Sequence, residues 1–155
     1  MKAWTIQPPF GIEALHLSDH TEPVPKPGQV LVEVHSVSLN YRDLSTIKNA
    51  AQRNLKPSLI PCSDGAGIVK AIGDGVKRIG VGDRVAGTFF QNWINGAPTE
   101  ATRETALGGA IDGMLAEQVI LEEEGLVSIP AHLSCAEAST LPCAALTAWS
   151  ALISY

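Results

Sequence analysis

Charge is scarce in this sequence and nowhere segregated. Asp, Glu, Lys and Arg make up 17% of its 155 residues, the net charge is −5, and no basic run occurs. Nucleic-acid recognition needs clustered Lys and Arg, so a nucleic-acid partner is not expected. Aromatic residues are few, at 5%, and there are three cysteines, Cys62, Cys135 and Cys143. An odd number without framework spacing argues against a disulfide scaffold and suits free thiols in a reducing cytoplasm. No apolar run approaches the roughly 18 residues of a membrane helix. Met1-Lys2-Ala3-Trp4-Thr5 leads into strand-like sequence without the apolar core of a signal peptide. The expected setting is cytoplasmic, with no membrane partner. What remains is a chain 45% apolar, long enough to bury one ordinary core.

The first two thirds read as β. Lys2 to Ile6 and Leu15 to Leu17 are short strands. Pro23-Val24-Pro25-Lys26-Pro27-Gly28 excludes a helix, because each proline removes a donor and restricts the residue before it. Val30 to Leu39 is a long β-branched run suited to cover on most of both faces. Asn40 or Ser38 can cap a helix over Tyr41 to Lys48. Further strands are expected over Gly67–Ile72, Arg84–Phe89, Met114–Leu121 and Leu126–Ile129. Residues 91 to 112 have no clear period and read as a long excursion. Ser134 with Glu137 three residues on forms a capping-box pattern before a helix over Ala136–Leu141. Pro142 breaks that helix, and Ala144–Ile153 begins another.

One constellation is more specific: Pro61-Cys62-Ser63-Asp64-Gly65-Ala66-Gly67-Ile68-Val69, then Gly73-Asp74-Gly75-Val76, then Gly82-Asp83-Arg84-Val85. Gly67, Gly73 and Val76 resemble the Gly-His-Glu-x-x-Gly-x5-Gly-x-x-Val stretch of medium-chain alcohol dehydrogenases, with Cys62-Ser63-Asp64 in place of Gly-His-Glu. Three other patches extend the resemblance in the right order: Pro27 to Val32, Ser38 to Asp43, and Ala138 to Trp149. Together they resemble the GroES-like domain of the medium-chain dehydrogenase/reductase superfamily, nearest its zinc-less, quinone-oxidoreductase-like branch. The resemblance implies a mainly β, α+β fold built on a partly open β-barrel. It further implies a catalytic, substrate-side domain over residues 1–130 and a helical connection over 131–155. That connection leads towards a Rossmann domain that this sequence does not contain. The alanine-rich run ends at Tyr155 without a glycine cap, which reads as a cut.

By the same resemblance, the three ligands of a catalytic zinc would stand at Asn40, Ser63 and Cys143. Only Cys143 can ligate as a thiolate, and a catalytic zinc needs three protein ligands. Residues 91 to 112 also lack the four cysteines of a structural zinc lobe. No zinc is expected. Without a Lewis acid, hydrogen-bond donors must stabilise charge developing on the acceptor oxygen. The resemblance puts Asn40 and Tyr41 at the cleft floor as those donors. Asn40 serves equally well as a helix cap, and Tyr41 as packing beneath it. Arg42 either faces the cofactor phosphates or pairs with Asp43. Cys143 and Thr147 fall on the cofactor side, with Thr147 at the position that meets the nicotinamide carboxamide or else bonding its own helix. Phe89 matches a substrate-pocket position and Trp93 can line the same pocket; both can equally be packing. Asp64, at the family glutamate position, is expected to pair with a basic group outside this sequence.

The function implied is NAD(P)-dependent reduction of an activated C=C, quinone or carbonyl compound. NADP(H) or NAD(H) would be held mostly by the second domain, which would also make any homo-oligomer contact. Two alternatives stay open: a zinc-dependent alcohol dehydrogenase domain, and a stand-alone GroES-like interaction module that uses residues 91 to 112.

Overall fold

The computed structural model describes residues 1–51 and 55–153. Among them are seven strands: β1 (Lys2–Ile6), β2 (Leu15–Asp19), β3 (Gln29–Ser38), β4 (Asp64–Ile72), β5 (Arg84–Gly87), β6 (Gln118–Glu122) and β7 (Leu126–Ser128). The helices are α1 (Tyr41–Lys48), α2 (Glu100–Arg103), α3 (Cys135–Ala138) and α4 (Leu146–Ile153). The chain end at Tyr155, expected to be uncapped, lies outside the described residues.

β1 and β2 pair antiparallel as a two-stranded ribbon, and the other five strands form one antiparallel sheet in the order β6-β3-β4-β5-β7. β6 and β7 are opposite edges of that sheet, yet only the single turn Glu123–Gly125 separates them in sequence. The sheet is therefore rolled until its edges nearly meet, which is a partly open barrel. Gln91 bridges the remaining seam. Its Nε2 donates to the Gly125 carbonyl at 3.1 Å and to that of Thr88 at 2.9 Å, while its Oε1 accepts the Glu122 N–H at 3.0 Å.

Inside the barrel, Val30 and Val32 of β3, Val69 of β4, Val85 of β5 and Leu121 of β6 meet Leu107 and Met114. Burial of β-branched side chains on alternate positions fixes the register, since a slip of one residue would turn each to the other face. Two register shifts interrupt β3 against β4, between Leu31 and Val32 and between Val34 and Ser36. At the second, Gly67 of β4 runs so close to β3 that a Cβ there would collide with the Glu33 carbonyl.

Three sequence expectations shift. Met114 to Glu117 do not join β6: the Met114 N–H bonds the Cys62 carbonyl at 2.8 Å and the Glu117 N–H that of Lys2 at 2.9 Å, so this stretch ties the barrel to other segments. Residues 91 to 112 are irregular but hold the short α2, capped by Thr99. Pro142 does more than break a helix. It sits in a π-helical turn, Leu141–Ala145, that runs straight into α4, where its missing N–H costs little because the first turn has orphan donors anyway.

Candidate active site

Three segments distant in sequence converge on one carboxylate. β3 ends at Ser38, and Asn40 follows as the N-cap of α1, in extended conformation. β4 begins at Asp64, and the π turn carries Cys143. Asp64 is fully buried. Its Oδ2 accepts the Asn40 side-chain amide and the Cys143 backbone N–H, each at 3.1 Å, and its Oδ1 accepts the Ser63 hydroxyl at 3.3 Å. Burial pushes its carboxyl above the usual range; the three bonds pull it back down, and the nearby Asp43 charge adds to the rise.

Asp43 is a second buried carboxylate. Its Oδ2 accepts the Asn40 backbone N–H at 2.8 Å, one half of a capping box. Burial raises its carboxyl too, opposed by the Asn40 N–H, the Arg42 charge and the Ser63 N–H. Arg42 donates from Nη1 to Asp43 Oδ1 at 3.3 Å and to the Leu107 carbonyl at 3.1 Å, and its guanidinium lies 4.7 Å from the centre of the Phe89 ring. Cys62 lies against this cluster in a left-handed conformation, with its thiol pushed up to about 12 by burial. Its backbone is so tightly covered that a Cβ on Gly108 would come within 2.7 Å of it. That thiol is a packing group.

Beside the cluster opens an apolar cleft of about 580 Å³ between the β5 and β7 ends and the π turn with α4. Phe89, Phe90, Trp93, Cys143, Leu146 and Thr147 are among its lining residues, and none of its described lining is charged. Phe90 stacks edge-on to Phe89 with centroids 4.6 Å apart and to Trp93 at 5.8 Å. Trp93 Nε1 donates to the Gly96 carbonyl at 3.0 Å, which holds the indole in place. The Cys143 thiol is pushed up, first by burial and then by the Asp64 charge, and a hydrogen bond from Thr147 works against the rise.

The structure thus brings Phe89, Trp93, Cys143 and Thr147 to one cleft, and Asn40 to Asp64 behind Cys143. Asn40 is both the cap of α1 and a donor into the site. Tyr41 goes elsewhere: it is 86% exposed. Asp43, Thr46, Ile47 and Ala50 form the inward stripe at helical spacing, so Tyr41, Leu44 and Lys48 fall on the opposite face. Arg42 turns inward to Asp43, Leu107 and Phe89, the ion-pair alternative among its two sequence readings. Within this chain the hydrogen bonds to Asp64 come from neutral donors; the basic group expected to pair with it would lie outside this sequence.

A zinc ion would need three ligand atoms here. Asn40 offers Asp64 its amide nitrogen, which carries no lone pair for a metal, and the neutral Ser63 hydroxyl is not one of the Cys, His or carboxylate groups that hold zinc. Among the described residues, no three His, Cys, Asp or Glu side chains are grouped to hold a metal ion. The donor set does not fit a catalytic zinc.

Residues 26–131 match the family model of the alcohol dehydrogenase GroES-like domain. The chain belongs to this family. A zinc-type alcohol dehydrogenase-like protein of Schizosaccharomyces pombe is 44% identical over 126 residues, 81% of this chain and 36% of that protein. A chloroplastic quinone oxidoreductase of Triphysaria versicolor is 34% identical over 148 residues, 92% of this chain and 39% of the relative. Among solved structures, the cobalt- and zinc-bound thermostable alcohol dehydrogenase of Pyrobaculum aerophilum superposes with a TM-score of 0.83 at 29% identity, over 97% of this chain and 47% of that one. This GroES-like domain therefore belongs to the medium-chain dehydrogenase/reductase superfamily, and its relatives divide between zinc-type alcohol dehydrogenases and quinone oxidoreductases. The chain spans about two fifths of the length of these curated relatives. No helix among the described residues is long and apolar enough to cross a membrane.

Proposed function

We propose that this domain is the substrate-side half of an NAD(P)-dependent oxidoreductase that reduces an activated C=C, quinone or carbonyl compound without zinc. The observation that carries this reading is the Asp64 cluster, where the ligand positions Asn40 and Ser63 act as hydrogen-bond donors. Bound in a companion domain, the nicotinamide would supply the hydride. Thr147 and Cys143 line the cleft on the side where the chain would meet that domain. α4 supports the division into a substrate-side domain over 1–130 and a connection over 131–155. It buries none of its described side chains, and Leu146, Trp149, Leu152 and Ile153 are all exposed.

The cleft walls suit an uncharged apolar acceptor. Phe89, Phe90 and Trp93 offer flat apolar surface, and a charged substrate would enter without a counter-ion. The acceptor oxygen gains charge as hydride arrives, and the Asn40 amide, a neutral donor held by Asp64, is the group proposed to meet it. The test is reduction of a quinone and of an α,β-unsaturated ketone by the full-length protein with NADPH and with NADH. Consumption of either cofactor coupled to acceptor loss supports the reading. Absence of both, alongside oxidation of a simple alcohol, refutes it.

The relative from Schizosaccharomyces pombe, described as zinc-type, favours a second reading as a zinc-dependent alcohol dehydrogenase. Stoichiometric zinc in the purified full-length protein would select it.

A further inference from the structure

Asp64 is costly as a mere filler. A carboxylate with no exposed surface gives up its hydration, and an apolar side chain of similar size would brace the barrel without that loss. Its position supplies a reason for keeping it. The bond to Asn40 spans 24 residues of sequence and the bond to Cys143 spans 79, so one side chain links the end of β3, the start of β4 and the π turn beneath the cleft. A carboxylate has about four lone-pair sites, and three are filled here by an amide N–H, a hydroxyl and a backbone N–H.

The carboxylate also decides how the Asn40 amide is turned. An Asn side chain can present either oxygen or nitrogen, and only the nitrogen can face an acceptor at 3.1 Å. That choice commits one N–H to Asp64 and leaves a second N–H on the same nitrogen. No other acceptor for it occurs among the described residues. The Cys143 bond sets the π turn at the same time, and with it the cleft wall that carries Thr147.

We propose that Asp64 is the positioning residue of this site, fixing the Asn40 amide and the Cys143 turn against each other so that the second amide N–H is held in one direction. The three positions that would ligate a metal in the zinc members are here gathered around a carboxylate instead. Asp64 touches no substrate and acts through Asn40. The catalytic part of this inference rests on the oxidoreductase reading; the positioning part does not.

The test uses the full-length protein with Asp64→Asn, Asn40→Ala and the double variant. Two readouts are taken: steady-state kinetics, and hydrogen exchange of the segment holding the Cys143 amide. D64N keeps the shape but loses the charge-assisted bonds, so exchange at Cys143 should quicken about tenfold. It should also lower kcat about tenfold with KM within about twofold. Asn40→Ala should cost a comparable amount, and adding D64N to it less than about twofold more, because the two act as one unit. Losses that multiply in the double variant, or exchange at Cys143 unchanged by D64N, overturn the proposal. If D64N does not fold, Asn40→Asp replaces the test. Facing Asp64 with like charge, it should lose more kcat than N40A and recover as pH falls towards the carboxylate range, and equality with N40A at every pH overturns the proposal. A wild-type protein without NAD(P)H turnover but with the exchange effect intact refutes the oxidoreductase reading alone.

Discussion

Replacing Arg42 with Met removes one cation from a buried cluster while keeping a side chain of similar length over Phe89. In the wild type, Arg42 Nη1 lies 3.3 Å from Asp43 Oδ1, and the Asp43 side chain is only 4% exposed. At that distance the gross attraction is about 5 kcal/mol for an effective dielectric near 20. Removing one partner from a buried pair costs about 3–5 kcal/mol, most of it from the charge left behind. Asp43 keeps the Asn40 and Ser63 N–H bonds, and Arg42 is itself 23% exposed, so the lower end applies, about 3 kcal/mol at pH 7. For a chain of this size that is a fall in Tm of roughly 6–12 °C. The pH dependence has a definite sign. Burial already raises the folded-state carboxyl of Asp43 above its unfolded value of 3.8. Its contribution is therefore most favourable below that unfolded value and is lost as pH rises through the folded one. Without Arg42 the folded value climbs further. The gap between wild type and Arg42→Met is then largest near neutrality and narrows as pH falls through the raised folded-state range, because a protonated Asp43 no longer needs the cation. What remains there is the bond to the Leu107 carbonyl and the ring contact, about 1 kcal/mol. Urea unfolding of the 155-residue chain, followed by tryptophan fluorescence between pH 4 and 7.5, measures both quantities. A loss under about 1 kcal/mol at pH 7, or a gap that widens on acidification, would refute the reasoning.

Gly67→Ala places a methyl group against the Glu33 carbonyl, a backbone atom that cannot swing aside, and should cost about 3 kcal/mol by thermal unfolding; a loss below about 1 kcal/mol would mean that β3 and β4 separate easily. Gln91→Leu leaves the part-buried Glu122 N–H at the barrel seam without its acceptor, and should cost about 1 kcal/mol with faster exchange of that amide; the Gly125 carbonyl keeps the Thr88 N–H and loses less. Unchanged exchange at Glu122 would show that the seam closes by other means.

The elements with a clean period were legible in the sequence. β3 follows from its β-branched run, α1 from Asn40 ahead of an amphipathic octet, and α3 from the Ser134–Glu137 box, whose bonds form at both ends. The placement of Tyr41 was legible too, had the inward stripe from Asp43 to Ala50 been weighed above its neighbour Asn40. Met114 to Glu117 misled because an apolar run looks the same whether it pairs in a sheet or plugs a barrel from a loop. The rest of the site was not readable from local pattern. Asp64 meets a side chain 24 residues before it and an amide 79 residues after it, and neutral donors carry no charge complementarity to betray the pairing. The Gln91 seam escaped for a related reason, since it exists only once β6 and β7 have become opposite edges of one rolled sheet.

In the reading proposed above, hydrogen bonds gathered on Asp64, and no metal, carry the chemistry of this GroES-like domain. The most direct measurement is the zinc content of the full-length protein by elemental mass spectrometry, paired with NAD(P)H-dependent reductase activity before and after exhaustive chelation. The account predicts zinc far below one atom per chain and activity unchanged by the chelator. One zinc per chain, with activity lost on chelation and restored by the metal, would contradict it.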